Sequence, residues 1–346
     1  MTSTTKKQPI GVVGAGSFGT AIAQLLSIKN DVLIHTRRDA VVKAINEDHF
    51  HKGQTLSERI RAINSMEEMA EECTLIFPMV ASANFRDMMR DFSPYLRPFH
   101  MLIHGTKGLD TMVRDTSMAA TARDRVHTMS EVIRQESSVI RVGCLSGPNL
   151  SSEIMEGQPA ATVIASEFDE VIKAGIQVLR SPQFQIYGTY DLTGAELAGA
   201  LKNIIALASG ILGGLGLGYN LWGLLITRGL IEMIHLGKAM GAQKTAFFGL
   251  AGVGDLVATA SSQKSRNYTF GYHLAKGKKV EEILEIMTEP AEGYRTLKVA
   301  KEVSEYYQTH TPIIDVLYNV LYEGEEIAKS LQYLIKYPYT IDVDFM

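Results

Sequence analysis

A short apolar run, Ile10-Gly11-Val12-Val13, leads directly into Gly14-Ala15-Gly16-Ser17-Phe18-Gly19, and a helical pattern from Thr20 to Leu26 follows at once. No other feature constrains the fold as much as this Gly-x-Gly-x-x-Gly turn between a strand and a helix. Gly14 lets the chain turn tightly, Gly16 lets the backbone approach a pyrophosphate, and Gly19 lets the helix pack close on its strand. The helix start offers unpaired N–H groups and the positive end of its dipole to phosphate. Glycine-rich turns also serve packing alone; the strand before and the helix after favour a dinucleotide site.

The first half continues in the same alternation. Strands are expected at Ile10–Val13, Val32–His35, Arg61–Ile63, Thr74–Pro78, His100–His104, Val142–Leu145 and Ala161–Ile164, with helices such as Ala40–Asp48, Ser65–Glu72 and Ala83–Asp91 between them. Ser65 with Glu68 forms a capping-box pattern. Short apolar strands alternating with helices imply an α/β class with a Rossmann-like, doubly wound, mostly parallel sheet. After about Asp191 the texture is helical: Glu196–Ile211, Leu224–Gly241, Val280–Met287, Thr296–Tyr307 and Pro312–Tyr318. The reading is a dinucleotide-binding domain over residues 1–190 and an all-helical domain over 191–346.

Composition narrows the function classes. With 34 basic and 38 acidic residues the net charge is −4, which argues against general affinity for nucleic acid. Cys73 and Cys144 lie in apolar strand-like runs and read as buried free thiols rather than as a disulfide or metal ligands; no metal site is expected. Met1–Gln8 is polar and basic without an apolar core, so it does not read as a signal peptide. The apolar stretch Ile204–Leu217 reads as too short to span a bilayer. A cytoplasmic location is expected.

In a dinucleotide fold, an acidic residue after the second strand usually binds the adenine ribose, and arginine there accommodates a 2′-phosphate. Here Val32-Leu33-Ile34-His35 runs into Thr36-Arg37-Arg38-Asp39. The planar guanidinium fork suits phosphate, so Arg37 and Arg38 favour acceptance of NADP(H). The alternative is a pair of solvated charges with Asp39 capping the next helix.

Four later clusters differ from ordinary scaffold. Lys107, between Gly105 and Gly108, follows a strand end, where open α/β sheets bind ligands; it could equally be a surface lysine on a turn. Leu145-Ser146-Gly147-Pro148-Asn149 ends another strand and either lines a site or punctuates a loop. Lys202 and Asn203 interrupt the apolar run Glu196–Ile205, where a buried ammonium is costly unless paired. Such a lysine can have a depressed pKa and exchange protons; snorkelling at a helix end is the bland alternative. Asp255, in the apolar turn Gly252-Val253-Gly254-Asp255-Leu256, is a partner candidate for Lys202, and Ser265-Arg266-Asn267 offers a guanidinium and an amide to a phosphate.

Seven stretches in this order, GAGSFGTAIA, GTKGLD, SGPNLSSEIMEGQPAA, ELAGALKNIIALASG, ITRGLIEM, FFGLAGVGDLVATASSQKSRNYTFG and AEGYRT, resemble the bacterial-type NAD(P)-dependent glycerol-3-phosphate dehydrogenases over about residues 10–300. The resemblance implies reversible, NAD(P)-dependent reduction of dihydroxyacetone phosphate to sn-glycerol 3-phosphate for glycerophospholipid synthesis. It implies Lys202 as proton donor and acceptor, and Lys107 in contact with both substrate and cofactor. Asp255, Ser265, Arg266 and Asn267 would line the substrate site, with Thr259 close by and Gly147 and Asn149 as further contacts. Ser17, Phe18, Ser151, Arg266 and Glu292 align with cofactor contacts, beside Gly14, Gly16 and Gly19 of the turn.

On this reading the phosphate sits on Arg266 and Asn267, hydride reaches the carbonyl carbon, and Lys202, held and kept charged by Asp255, protonates the alkoxide. Two departures from the family pattern stand out: His35 where many members carry an aromatic such as tryptophan, and Tyr219 with Trp222 in a loop that often begins with an acid. Two other classes fit parts of the pattern: a two-domain dehydrogenase of hydroxy acids or opines, and a cofactor-binding sensor without catalysis. Arg266-Asn267 after Asp255 favours a phosphate over a carboxylate, and keeping Lys107, Lys202 and Asp255 together argues against a sensor. The helical half, with apolar faces, fits a homodimer. The partners expected are the small-molecule substrate and a second copy, with no nucleic acid and no membrane span.

Overall fold

The computed structural model describes residues 8–111, 125–338 and 341–342. The chain divides into two compact units, one of Met1–Thr106, Met129–Leu145 and Asn149–Leu192, the other of Lys107–Thr128, Ser146–Pro148 and Thr193–Met346.

The first unit is built on a sheet of β1 (Ile10–Val13), β2 (Val32–His35), β5 (Ile60–Ile63), β6 (Leu75–Pro78), β7 (Met101–His104), β10 (Arg141–Ser146), β11 (Ala160–Ser166) and β12 (Phe184–Thr189). Two small hairpins lie outside this sheet: β3 (Phe50–His51) pairs β4 (Gln54–Thr55), and, in the second unit, β8 (Asp110–Thr111) pairs β9 (Val126–His127). The strand order is β12-β11-β10-β7-β6-β1-β2-β5. β1 pairs parallel with β2 and with β6, β2 with β5, β6 with β7, β7 with β10, and β11 with β12.

Successive side chains fall into different cores, as a strand period of two requires. Val12, Ile34, Phe77 and Ile103 join one buried cluster, while Val13, Leu33, Ile76 and Leu102 join another. A sheet covered on both faces is the doubly wound arrangement. From β1 the chain builds outward first through β2 and β5, then returns to the other side of β1 as β6 and β7. The crevice at such a reversal, beyond the carboxyl ends of the strands, is where this architecture takes ligands, and the glycine turn lies there.

The expected strands and helices of this unit are present with ends shifted by a residue or two. Ser65 caps the helix Met66–Glu72, its Oγ accepting from the Glu68 N–H at 3.1 Å. The sequence pattern predicts no strand at β12, where the exposed Gln185 and Tyr187 alternate with the buried Phe184 and Ile186. An edge strand open to water on one face carries only half the apolar signal.

The second unit is helical apart from the β8–β9 pair: Leu192–Gly214, Tyr219–Ala239, Thr245–Phe248, Asp255–Ser261, Arg266–Ala275, Val280–Ile286, Glu292–Tyr306, Pro312–Tyr322 and Ile327–Ile335. Residues such as Leu201, Ile204, Leu207, Phe270, Leu297 and Ile314 form its core. The segment at Tyr219 and Trp222 is the first turn of a helix rather than a loop; Tyr219 is exposed, and Trp222 Nε1 donates to Ser209 Oγ at 2.9 Å. The apolar run thought too short for a bilayer belongs to a helix that begins at Leu192, long and apolar enough by length and composition, but 94% of its apolar window is buried inside the protein. It is the central core helix of this unit.

Candidate active site

The three glycines of the first turn meet different physical demands. Gly14 has φ +109°, in the region side chains disfavour, and a Cβ there would lie 2.7 Å from the Met79 carbonyl oxygen. A Cβ on Gly19 would lie 1.9 Å from the Gly14 carbonyl oxygen, so the first turn of the helix can press this closely on the preceding turn only without a side chain there. Gly16 is the opposite case: a Cβ there would meet nothing within 4 Å. Packing therefore explains Gly14 and Gly19, whereas Gly16 borders open space. Gly16 caps the helix Ser17–Ser27 without a side-chain hydrogen bond, and no acidic residue stands in its first turn. These features fit the diphosphate of a nicotinamide dinucleotide. Arg37 and Arg38 follow the adjacent strand β2 and are exposed. Asp39 begins the next helix, with Oδ1 accepting from Asn64 Nδ2 at 2.9 Å. His35 is buried, and chiefly that burial holds its pKa below the usual histidine value.

The helical unit holds a compact ionic cluster. A turn of π-helix, Leu250–Gly254, widens the backbone just before Asp255, which opens the helix Asp255–Ser261. Such insertions recur at functional sites because they re-aim the residue that follows. Thr259 lies one helical turn after Asp255 and so on the same face. Lys107 Nζ donates to Asp255 Oδ2 at 2.6 Å and to the Gly147 carbonyl at 2.7 Å. Lys202 Nζ is 3.1 Å from Asp255 Oδ1 and donates to Thr259 Oγ1 at 2.5 Å. Thr259 in turn donates to Asp255 Oδ1 at 3.1 Å. Lys202 and Asp255 are buried, with side-chain exposures of 5% and 2%, while Lys107 keeps 16%. Burial is the main reason the Lys202 ammonium is pushed down to about 8; Asp255 opposes that shift and Lys107 adds to it.

A chain of amides leads away from this cluster. Asn203, next to Lys202, donates from Nδ2 to the Lys107 carbonyl at 3.0 Å and to the Gly199 carbonyl at 3.3 Å. Asn267 Nδ2 donates to Asn203 Oδ1 at 2.8 Å, and the Gly293 N–H donates to Asn267 Oδ1 at 2.8 Å. A Cβ on Gly293 would stand 2.4 Å from the Asn203 carbonyl oxygen, so the close approach needs glycine. The Asn267 side chain is therefore engaged within the protein on both its donor and its acceptor. Ser265 caps the helix Arg266–Ala275, its Oγ accepting from the Tyr268 N–H. Arg266, half exposed, pairs with Glu289 at 2.8 Å. Glu292 begins the helix Glu292–Tyr306.

Lys107, Gly147, Lys202, Asp255 and Thr259 thus touch one another, and Ser265, Arg266, Asn267 and Glu292 stand at two helix starts in the same unit. The remaining candidates belong to the first unit. There Asn149 Nδ2 donates to Thr162 Oγ1 at 2.7 Å, and Ser151 opens the short helix Ser151–Met155. The sequence alone assigns Asn203 no role beyond interrupting the apolar run. Its signal was present; its partners are remote in sequence, so its task was not.

Comparisons with known proteins agree with this architecture. The sequence profile described as NAD-dependent glycerol-3-phosphate dehydrogenase N-terminus matches residues 9–172, and the corresponding C-terminus profile matches residues 191–332. A Pseudomonas aeruginosa (strain LESB58) protein named glycerol-3-phosphate dehydrogenase (NAD(P)+) is 37% identical over 350 residues, covering 99% of this chain and 98% of its own length. A protein of the same name from Saccharophagus degradans is 35% identical, covering 98% and 93%. The crystal structure of glycerol-3-phosphate dehydrogenase from Coxiella burnetii superposes with a TM-score of 0.86 at 29% identity, covering 95% of this chain and 99% of that one. By its two profiles and its full-length relatives, the chain belongs to the NAD-dependent glycerol-3-phosphate dehydrogenase family.

Proposed function

We propose that the chain reduces dihydroxyacetone phosphate to sn-glycerol 3-phosphate, reversibly and with NAD(P), and that Lys202 is its proton donor and acceptor. The observation that carries the lysine assignment is the buried Lys202–Asp255–Lys107 cluster with Thr259. The nicotinamide cofactor, when bound, supplies or accepts the hydride. The chain's own residues then have separable tasks. Lys202, whose ammonium is pushed down to about 8, gives its proton to the developing alkoxide and takes it back in the reverse direction. General acid catalysis of this kind is typically worth ~10²–10⁴ in rate. Asp255 holds Lys202 in place, and Thr259 fixes the ammonium from a second side. Lys107 keeps a second positive charge beside the first and would contact substrate and cofactor. Arg266 takes the substrate phosphate, exchanging its surface partner Glu289 for it.

Asn267 would contribute through the free N–H groups at the start of its helix, since its side-chain amide already serves Asn203 and Gly293. Gly147, Asn149 and Ser265 would complete the substrate site. On the cofactor side, Gly14, Gly16, Ser17, Phe18 and Gly19 would cradle the diphosphate, Arg37 and Arg38 would admit a 2′-phosphate, and Ser151 and Glu292 would add contacts. Most cofactor contacts would then come from residues 1–190 and most substrate contacts from residues 191–346, with Lys107, Gly147 and Asn149 serving the substrate from the first range and Glu292 the cofactor from the second.

The product is a precursor for glycerophospholipids, and we place the enzyme in the cytoplasm as a homodimer. The buried free thiols of Cys73 and Cys144 and the exposed apolar side chains of Leu215, Leu217 and Leu224 support those two readings. The test is a steady-state assay of dihydroxyacetone phosphate against 2-oxo acids with NADPH and NADH. Turnover should be confined to the phosphorylated ketone. Preference for a 2-oxo acid would sink the assignment, and a monomer in sedimentation velocity would remove the dimer.

A further inference from the structure

A histidine from the β3–β4 hairpin reaches the glycine turn. The hairpin turns through Lys52 and Gly53, whose φ values are 54° and 76°. It is closed by the Leu56 N–H on the His49 carbonyl at 2.7 Å, and Gln24 Oε1 of the helix Ser17–Ser27 accepts from the Ser57 N–H at 3.1 Å. So held, half-buried His51 places Nε2 2.9 Å from the Ala15 carbonyl oxygen. A carbonyl only accepts, which puts the proton on Nε2. Neutral and protonated imidazole can both make this bond.

Gly16 has no Cβ, so its φ, one of the two torsions that turn the Ala15–Gly16 peptide plane, is unusually free. In a trans peptide the C=O and N–H point in opposite directions. Tying the Ala15 carbonyl to His51 therefore turns the Gly16 N–H away from the hairpin. Among the described residues no protein group accepts from that N–H, and Gly16 is the member of the turn whose missing side chain leaves open space.

We propose that His51 is a positioning residue for the cofactor: by fixing the Ala15–Gly16 peptide plane it presents the Gly16 N–H to the dinucleotide diphosphate. The inference rests on the reading of the glycine turn as the cofactor site. It implies that affinity for any ligand carrying the diphosphate depends on a hydrogen-bond donor at position 51, not on a ring or a charge there.

The test uses the full chain and two variants, His51→Leu, which cannot donate, and His51→Gln, whose carboxamide can. Kd is measured for NADPH and NADH by fluorescence and for ADP by competition. His51→Leu should weaken all three about tenfold, as expected for one lost hydrogen bond to a preset backbone. His51→Gln should restore them to within about threefold of wild type on the same grounds. In both variants kcat and KM for dihydroxyacetone phosphate should hold at saturating cofactor. Unchanged Kd values in His51→Leu overturn the inference, as does a loss that His51→Gln shares in full. A wild-type chain that binds none of the three ligands overturns the cofactor reading itself, and this inference with it.

Discussion

Lys107 and Lys202 are held on opposite oxygens of a single carboxylate: Asp255 Oδ2 takes Lys107 at 2.6 Å and Oδ1 faces Lys202 at 3.1 Å. Two ammonium groups around one buried carboxylate leave an excess of positive charge where little water screens it. That excess favours a substrate which arrives as a phosphate and passes through a developing alkoxide. It also belongs with the depressed Lys202, for which burial is the first cause and the neighbouring Lys107 a further one.

The proposed role of Lys202 is tested by separating chemistry from binding. Lys202→Ala should lower kcat by about 10²–10⁴ while leaving Kd for NADPH unchanged in a fluorescence titration. Near-normal turnover would end the assignment of Lys202 as the acid.

The pH dependence has opposite signs in the two directions. On the proposed mechanism reduction draws on the Lys202 ammonium, so its kcat should fall as pH rises through about 8; oxidation draws on the free amine and should rise over the same interval. Rate profiles measured both ways check this, and parallel slopes would contradict it.

Arg266 is expected to act on substrate affinity. Arg266→Ala removes charge-assisted hydrogen bonds worth about 1.5–3 kcal/mol, or roughly 10–100-fold in KM for dihydroxyacetone phosphate, with kcat changed far less. An unchanged KM counts against the phosphate role.

Arg37 and Arg38 should set the response to the 2′-phosphate. Arg37→Ala and Arg38→Ala are expected to raise KM for NADPH several-fold and leave KM for NADH near wild type. If both variants keep the wild-type NADPH/NADH ratio, the two guanidiniums are solvent-facing charges and nothing more.

A buried acid far from the lysine cluster bears on stability. Glu232 accepts from the Ile313 and Ile314 N–H groups at 2.7 and 3.2 Å, at the start of the helix Pro312–Tyr322. Burial outweighs those bonds and raises its carboxyl to about 8. A folded-state pKa above the unfolded value of 4.5 means the contribution is complete below pH 4.5 and is lost as pH rises through about 8. Glu232→Gln should flatten that part of the stability curve in urea titrations between those limits. An identical slope in the variant would show that Glu232 is not its source.

The sheet was legible because its strands are buried on both faces and read as short continuous apolar runs between helical patterns. β12 escaped because its outer residues face water. In the helical unit, Asp255–Ser261 and Arg266–Ala275 are glycine-rich or polar at their starts and carry little periodic signal, so their residues were seen as clusters rather than as helices. Lys202 was conspicuous as a charge in an apolar helix, and Asp255 as an acid in an apolar turn. That Asp255 is shared with Lys107 was not readable, because 148 residues separate the two. His51 had no local signature at all: a hairpin brings it onto a turn 36 residues earlier.

The amide chain from Gly293 through Asn267 and Asn203 to the Lys107 carbonyl runs in one sense, every donor pointing toward Lys107. Aligned bonds of this kind polarise one another. The line tolerates no change of chemistry at constant shape. Aspartate in place of either asparagine would keep the volume, lose the donor and set a buried carboxylate against an oxygen it can only repel. The position of the Lys107 backbone is then tied to the chemical identity of two buried amides, one of them 160 residues further along the chain, and not to their bulk.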